Sequence, residues 1–157
     1  MVTIFDLLKG ADTPRQDQAV FLKAQILFWL LGATDGHAKN FSLFLGPKGR
    51  FRLTPLYDVL SAQPSLESRQ VERKQMKLAM SVGDSRHYRL DEIEGRHFVQ
   101  TVKRARLPES LALDALKDVS ESADEAIAAV EKQLPPGFPE EIHSAVSKGL
   151  RGRLAKI

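Results

Sequence analysis

The chain has no cysteine, which excludes disulfides and thiolate metal centres and suits a reducing compartment. It has no long hydrophobic run either. The longest, Ile26 to Ala33, falls well short of the roughly 20 residues needed to span a bilayer. A secretory leader is missing from the N-terminal pattern, because Asp6 and Lys9 interrupt the apolar residues near Met1 and no small-residue cleavage site follows. These absences predict a soluble protein with no membrane partner, in the cytoplasm. The net charge of +3 is too small to point to nucleic acid by itself. What is present is 157 residues, 43% of them apolar. That supports one folded unit with a sizeable core and no long disordered tail.

Charge is distributed in blocks. Arg69 to Arg106 carries ten Lys or Arg against five acids, and Leu107 to Glu131 carries seven acids against Lys117 alone. The tail from Lys148 to Ile157 has Lys148, Arg151, Arg153 and Lys156 and no acid. Such blocks are usually solvated helix faces; the other reading is a basic surface that meets phosphate or an acidic partner.

The apolar pattern predicts a mostly α fold with a small β-hairpin. Thr3 reads as the cap of a short helix from Ile4 to Lys9, closed by Gly10. Thr13-Pro14 opens a long one, apolar on most sides through Val20, Phe21, Ala24, Leu27, Phe28 and Leu31, and Gly32 ends it. Phe41–Leu45 and Phe51–Thr54 flank the turn cluster Gly46-Pro-Lys-Gly49, which predicts a hairpin. Met76 to Met80 reads as a further strand or an extended segment. Helices follow at Glu94 to Arg106, Glu109 to Lys117 and Glu121 to Lys132, then a last one from Phe138-Pro139 to about Leu154, after the break at Pro135-Pro136-Gly137.

The most informative stretch is Ala33-Thr34-Asp35-Gly36-His37-Ala38-Lys39-Asn40-Phe41-Ser42, with Leu56-Tyr57-Asp58 after the hairpin. An Asp followed five residues later by an Asn repeats the spacing of the protein-kinase catalytic loop, where the Asp takes the substrate hydroxyl proton and the Asn holds magnesium. The hairpin returns the chain to its start and so brings Asp58 back beside Asn40 as a second hard-oxygen ligand. His37 and Lys39 lie between, within range of a phosphate oxygen. Two other readings compete. Asp, Gly and Asn are ordinary turn residues, and a metallohydrolase would draw on Asp35, His37, Asp58 and one of His87, His97 or His143.

Three segments, Gly32-Ala-Thr-Asp-Gly-His-Ala-Lys-Asn-Phe-Ser42, Leu53-Thr-Pro-Leu-Tyr-Asp58 and Lys77-Leu-Ala-Met80, closely resemble the C-terminal region of the HipA family of serine/threonine kinase toxins. Weaker motifs at Arg96-His97-Phe98, Phe138-Pro139 and Gly152-Arg153-Leu154 extend the likeness over nearly the whole chain. The resemblance implies a kinase-like C-terminal lobe over residues 1–157, with Asp35 as the catalytic Asp, Asn40 and Asp58 as Mg2+ ligands, and Tyr57 near the nucleotide. It also implies ATP, transfer to a protein Ser or Thr with glutamyl-tRNA synthetase as a type of target, and a HipB-like DNA-binding antitoxin through which DNA is met indirectly. The family's N-terminal lobe supplies a phosphate-binding loop, a phosphate-pairing Lys and an adenine grip. The 34 residues before Asp35 read as helices without a Gly-rich loop. Little or no turnover is therefore expected of this chain without such a lobe, and a binding module for the antitoxin or for a separate N-terminal half is the alternative.

Overall fold

A computed structural model describes residues 1–157. Helix α1 (Val2–Leu8) leads to α2 (Pro14–Leu31), then to a hairpin of β1 (Leu43–Leu45) and β2 (Phe51–Leu53). A short α3 (Gln63–Glu67) precedes a second hairpin, β3 (Lys77–Val82) and β4 (His87–Arg89). Helices α4 (Gly95–Arg104), α5 (Ser110–Glu131) and α6 (Glu140–Leu154) complete the chain. The result is a mostly helical fold with two separate two-stranded antiparallel sheets, one more than the sequence pattern suggested.

Helix α2 is the axis of the core, because it is apolar on nearly every side and other elements close around it. It buries Phe21, Leu22, Ile26, Phe28, Trp29 and Leu30, with α5 and α6 packed along it and α1 at its start. Phe5 meets Phe21 edge-on at 5.0 Å between ring centroids, and Trp29 packs on Phe98 of α4 at 5.6 Å. The Trp29 indole N–H donates to the Leu90 carbonyl at 3.1 Å, so the one polar atom of that side chain is satisfied inside the core. No helix is long and apolar enough to cross a membrane.

Several boundaries differ from expectation. Met1 occupies the cap position of α1 rather than Thr3, and Thr13 precedes α2 without a side-chain cap bond, leaving Pro14 to start that helix by its fixed φ. The two helices expected over Glu109–Lys117 and Glu121–Lys132 are a single helix of 22 residues. Neither Gly nor Pro interrupts the stretch, and the serines near the expected gap bond back to the helix. Ser120 Oγ donates to the Lys117 carbonyl at 2.9 Å and Ser122 Oγ to that of Asp118 at 2.7 Å. The segment from Met76 is a true strand, paired with His87–Arg89 across an irregular register.

Candidate active site

Helix α2 ends at Gly32, whose φ of 70° is the left-handed conformation that a C-terminal glycine adopts without strain. The Gly32 and Ala33 N–H groups return to carbonyls of the last turn, the latter to Phe28 at 2.8 Å. The chain then runs back along α2 as a tight loop. A Cβ on Gly36 would lie 2.2 Å from Phe28 Cδ2, so only glycine lets the backbone approach this closely. At the far end Phe41 inserts its ring between Phe21 and Phe28, at 5.0 and 5.9 Å. The loop with Asp35 is thus fixed to the helix at both ends and at its middle.

The hairpin does what its position predicted. Leu43 pairs with Leu53 and Leu45 with Phe51, and the returning chain places Asp58 Oδ2 2.8 Å from Asn40 Nδ2. Tyr57 straps the same corner: its hydroxyl lies 2.7 Å from Ser42 Oγ and donates to the Lys39 carbonyl at 3.1 Å. Beyond Asp58 the chain is tied to the end of α2 again. Ser61 Oγ donates to the Leu31 carbonyl, and the Ala62 N–H donates to that of Gly32 at 2.9 Å. Residues 32 and 62 therefore meet at a neck, with the whole polar site between them.

Asp35 projects into solvent, its side chain 78% exposed, and His37 Nε2 stands 3.5 Å from its carboxylate. That distance is an ion pair when the imidazole is protonated and too long for a hydrogen bond. Two buried atoms at the site lack partners, Asn40 Oδ1 and His37 Nδ1. Asp58 adopts φ 55°, a left-handed conformation that costs a non-glycine residue about 1–2 kcal/mol. Lys39 is exposed and forms no ion pair. Sequence reasoning assigned no role to Ser42, Ser61 or Gly36, and Gly36 was recognisable only as a turn residue because its close approach depends on a ring eight residues earlier.

The metallohydrolase reading finds no support in the placement of its histidines. His87 and His97 stack on each other at 4.0 Å between ring centroids beside α4, and His143 lies 3.6 Å from Glu131. No His, Asp and Glu side chains gather in a group of three or more that is arranged for a metal ion. The Asn40 and Asp58 pair fits a different kind of ion. Asn40 Nδ2 donates a hydrogen bond to Asp58 Oδ2 at 2.8 Å, which holds the two side chains side by side and leaves Asn40 Oδ1 without a partner. Rotation of the Asn40 amide exchanges its nitrogen for the partnerless Oδ1. A magnesium ion, which takes one or two protein oxygens plus phosphate and water, suits this donor set.

A mostly helical domain that carries its polar loop on a central helix, with small antiparallel sheets, is the class that the coordinates define. The HipA-like C-terminal domain matches residues 1–127, and the chain belongs to that family. It is 30% identical over 133 residues to the serine/threonine-protein kinase toxin HipA of Shewanella oneidensis, covering 85% of this chain and 29% of that protein. It is 26% identical over 126 residues to the putative kinase Y4dM of Sinorhizobium fredii, covering 80% of this chain and 29% of that one. The fold superposes on a chain of the Shewanella oneidensis complex of HipA, HipB and operator DNA with a TM-score of 0.82 and 25% identity, covering 98% of this chain and 34% of the other. The chain spans 29% of the length of these curated relatives.

Proposed function

We propose that this domain is the catalytic C-terminal portion of a HipA-type kinase that transfers phosphate from ATP to a protein Ser or Thr. The meeting of Asn40 and Asp58 at 2.8 Å across eighteen residues, on the loop that presents Asp35, carries the reading. Asp35 orients the substrate hydroxyl and accepts its proton, a role that needs a carboxylate free to face the substrate. Asn40 and Asp58 would hold Mg2+, which supplies charge neutralisation to the phosphates. His37 and Lys39 would face phosphate oxygens, and Tyr57 braces the corner on which the nucleotide rests. The left-handed backbone of Asp58 and the partnerless Asn40 Oδ1 are the kind of local cost that functional loops carry.

A second polypeptide surface belongs to this reading. Phe44, Leu45, Leu56, Tyr57, Val59 and Leu60 are exposed on the hairpin and on the segment that bears Asp58. An N-terminal portion like that of the longer relatives would cover them and complete the phosphate clamp. A HipB-like antitoxin is the expected regulatory partner, with DNA met through it, as the composition of the neighbouring complex suggests.

In an enzyme reconstituted with a HipA-type N-terminal portion, Asp35→Asn is expected to slow phosphoryl transfer by roughly 100- to 10,000-fold while the thermal midpoint stays in place. Retained turnover would remove Asp35 from the role of base. Calorimetry with ATP and Mg2+ on the same assembly should show binding that Asp58→Ala loses; binding indifferent to that change would dismiss the metal pair.

A further inference from the structure

A cavity of about 500 Å3 lies between α3, the turn before β3, the start of the segment after β4, and α6. It shares no residue with the site above. Five cations line it, Arg69, Arg73, Lys148, Arg153 and Lys156, against two acids, Glu67 and Asp91. Both acids are already engaged. Asp91 binds Arg89 with both oxygens, at 3.2 and 2.7 Å, and Glu67 lies 3.4 Å from Lys148. Lys156 reaches only a backbone carbonyl, that of Asp91, at 2.6 Å. Arg69 and Arg73 have no carboxylate partner: of the acids nearest in sequence, Glu67 is shared with Lys148 and Glu72 is held by Lys74 at 2.8 Å.

Arg153 forms part of the wall. Its guanidinium donates to the Leu30 carbonyl at 2.8 and 3.0 Å and to Gln63 Oε1 at 3.1 Å, all neutral acceptors. Burial pushes its pKa down to about 10. Gly149 makes room for it, since a Cβ there would fall 2.6 Å from Gln63 Cδ and 2.8 Å from Arg153 Nη2. Capping the carbonyl end of α2 accounts for Arg153, but it leaves the convergence of Arg69 and Arg73 unexplained. Arg69 moreover sits at φ 60° just past the end of α3, a position that favours glycine. A strained arginine without a carboxylate partner, facing a cavity whose half-buried Arg153 has only neutral partners, is an arrangement that an anion would complete.

We propose that this cavity binds a small soluble polyphosphate, with Arg69 and Arg73 at its mouth and Arg153 at its base. A concave site of this volume fits a di- or triphosphate chain with a modest organic group, and arginines favour phosphate by forked hydrogen bonding. The test is calorimetric titration of the 157-residue chain with inorganic tripolyphosphate in the presence of EDTA, which keeps any magnesium-dependent nucleotide binding out of the measurement. Arg69→Gly is the informative variant, because it removes the charge while relaxing the backbone. Saturable binding is expected, with monophosphate and sulfate weaker. Arg69→Gly and Arg73→Gln should each weaken it roughly tenfold, with the thermal midpoint of Arg69→Gly unchanged or raised. Absence of binding, equal affinity in both variants, or equal competition by duplex DNA at matched phosphate would overturn the proposal, the last by reducing the cavity to a diffuse basic surface.

Discussion

Hairpin β1–β2 turns Phe44 and Leu45 to solvent, 50% and 83% exposed, whereas β3–β4 buries Leu78 and Val82 almost completely. The second is also bonded into its surroundings. The Gly83 N–H donates to Thr101 Oγ1 at 2.8 Å, Arg104 donates to the Gly83 carbonyl at 2.7 Å, and the His87 ring stacks on His97. Two ribbons of similar size therefore do different work. An isolated two-stranded ribbon is marginal in water. The one against α4 is stabilised by burial, and the one that returns Asp58 sends only Leu53 into the core, is held at its base by the Asn40, Tyr57 and Ser61 contacts, and turns Phe44 and Leu45 outward. Stability and presentation have been assigned to separate hairpins.

Substitution of a leucine in each ribbon breaks the comparison most directly. Leu78→Ala removes a buried side chain and should cost about 2–5 kcal/mol, lowering the thermal midpoint by roughly 5–15 °C. Leu45→Ala should change stability by less than about 0.5 kcal/mol and instead weaken association with a HipA-type N-terminal portion. Equal losses of stability would show that the tip of the first hairpin, and not only Leu53, supports the fold. Gly36→Ala comes next. Its Cβ must displace the Phe28 ring or the loop, so a cost of about 1–3 kcal/mol is expected by denaturant unfolding, with a fall in phosphoryl transfer larger than stability alone explains.

The smallest effect concerns pH. Burial, followed by the charges of His87 and Arg96, holds the His97 pKa below its ordinary 6.5, and its Nδ1 accepts the Glu94 N–H at 3.0 Å in the neutral form. Below 6.5 the unfolded chain takes the proton more readily than the folded one. The contribution of His97 is therefore complete above 6.5 and is lost as the pH falls from there through the lowered folded value. Thermal midpoints followed from about pH 7.5 down to 5 should decline in the wild type and flatten in His97→Gln. Parallel curves would assign the decline to other groups.

The same contrast explains what could be read in advance. The presenting hairpin was legible because its strands flank an unmistakable turn cluster, and the pairing of Asn40 with Asp58 followed from topology alone. Strand β4 was not, since His87-Tyr88-Arg89 is three residues long without apolar alternation and takes its form from the side chains of α4. The continuity of α5 was missed across Asp118-Val119-Ser120, a polar step in the pattern that contains no helix-breaking Gly or Pro and whose serine hydroxyl is satisfied on the helix itself. Arg153 looked like one more residue of a solvated basic tail. Its burial depends on the missing Cβ of Gly149 and on carbonyls more than a hundred positions away. Local pattern carries turns and helix stripes; it carries neither close approach nor the capping of one helix by the end of another.

The neck at Gly32 and Ala62 has a mechanical consequence. A thirty-residue excursion that leaves and re-enters at one point is a closed ring, and it is pinned flat against the body by Phe41 between Phe21 and Phe28, by Leu53 in the core and by the Asp12 N–H on the Phe51 carbonyl at 2.8 Å. A force applied at the hairpin tip beyond Leu45 is carried into those anchors before it reaches the hydrogen bond between Asn40 and Asp58. The turn at Gly46–Gly49 lies outside the anchors, so a change in its length would leave the spacing between Asn40 and Asp58 as it is.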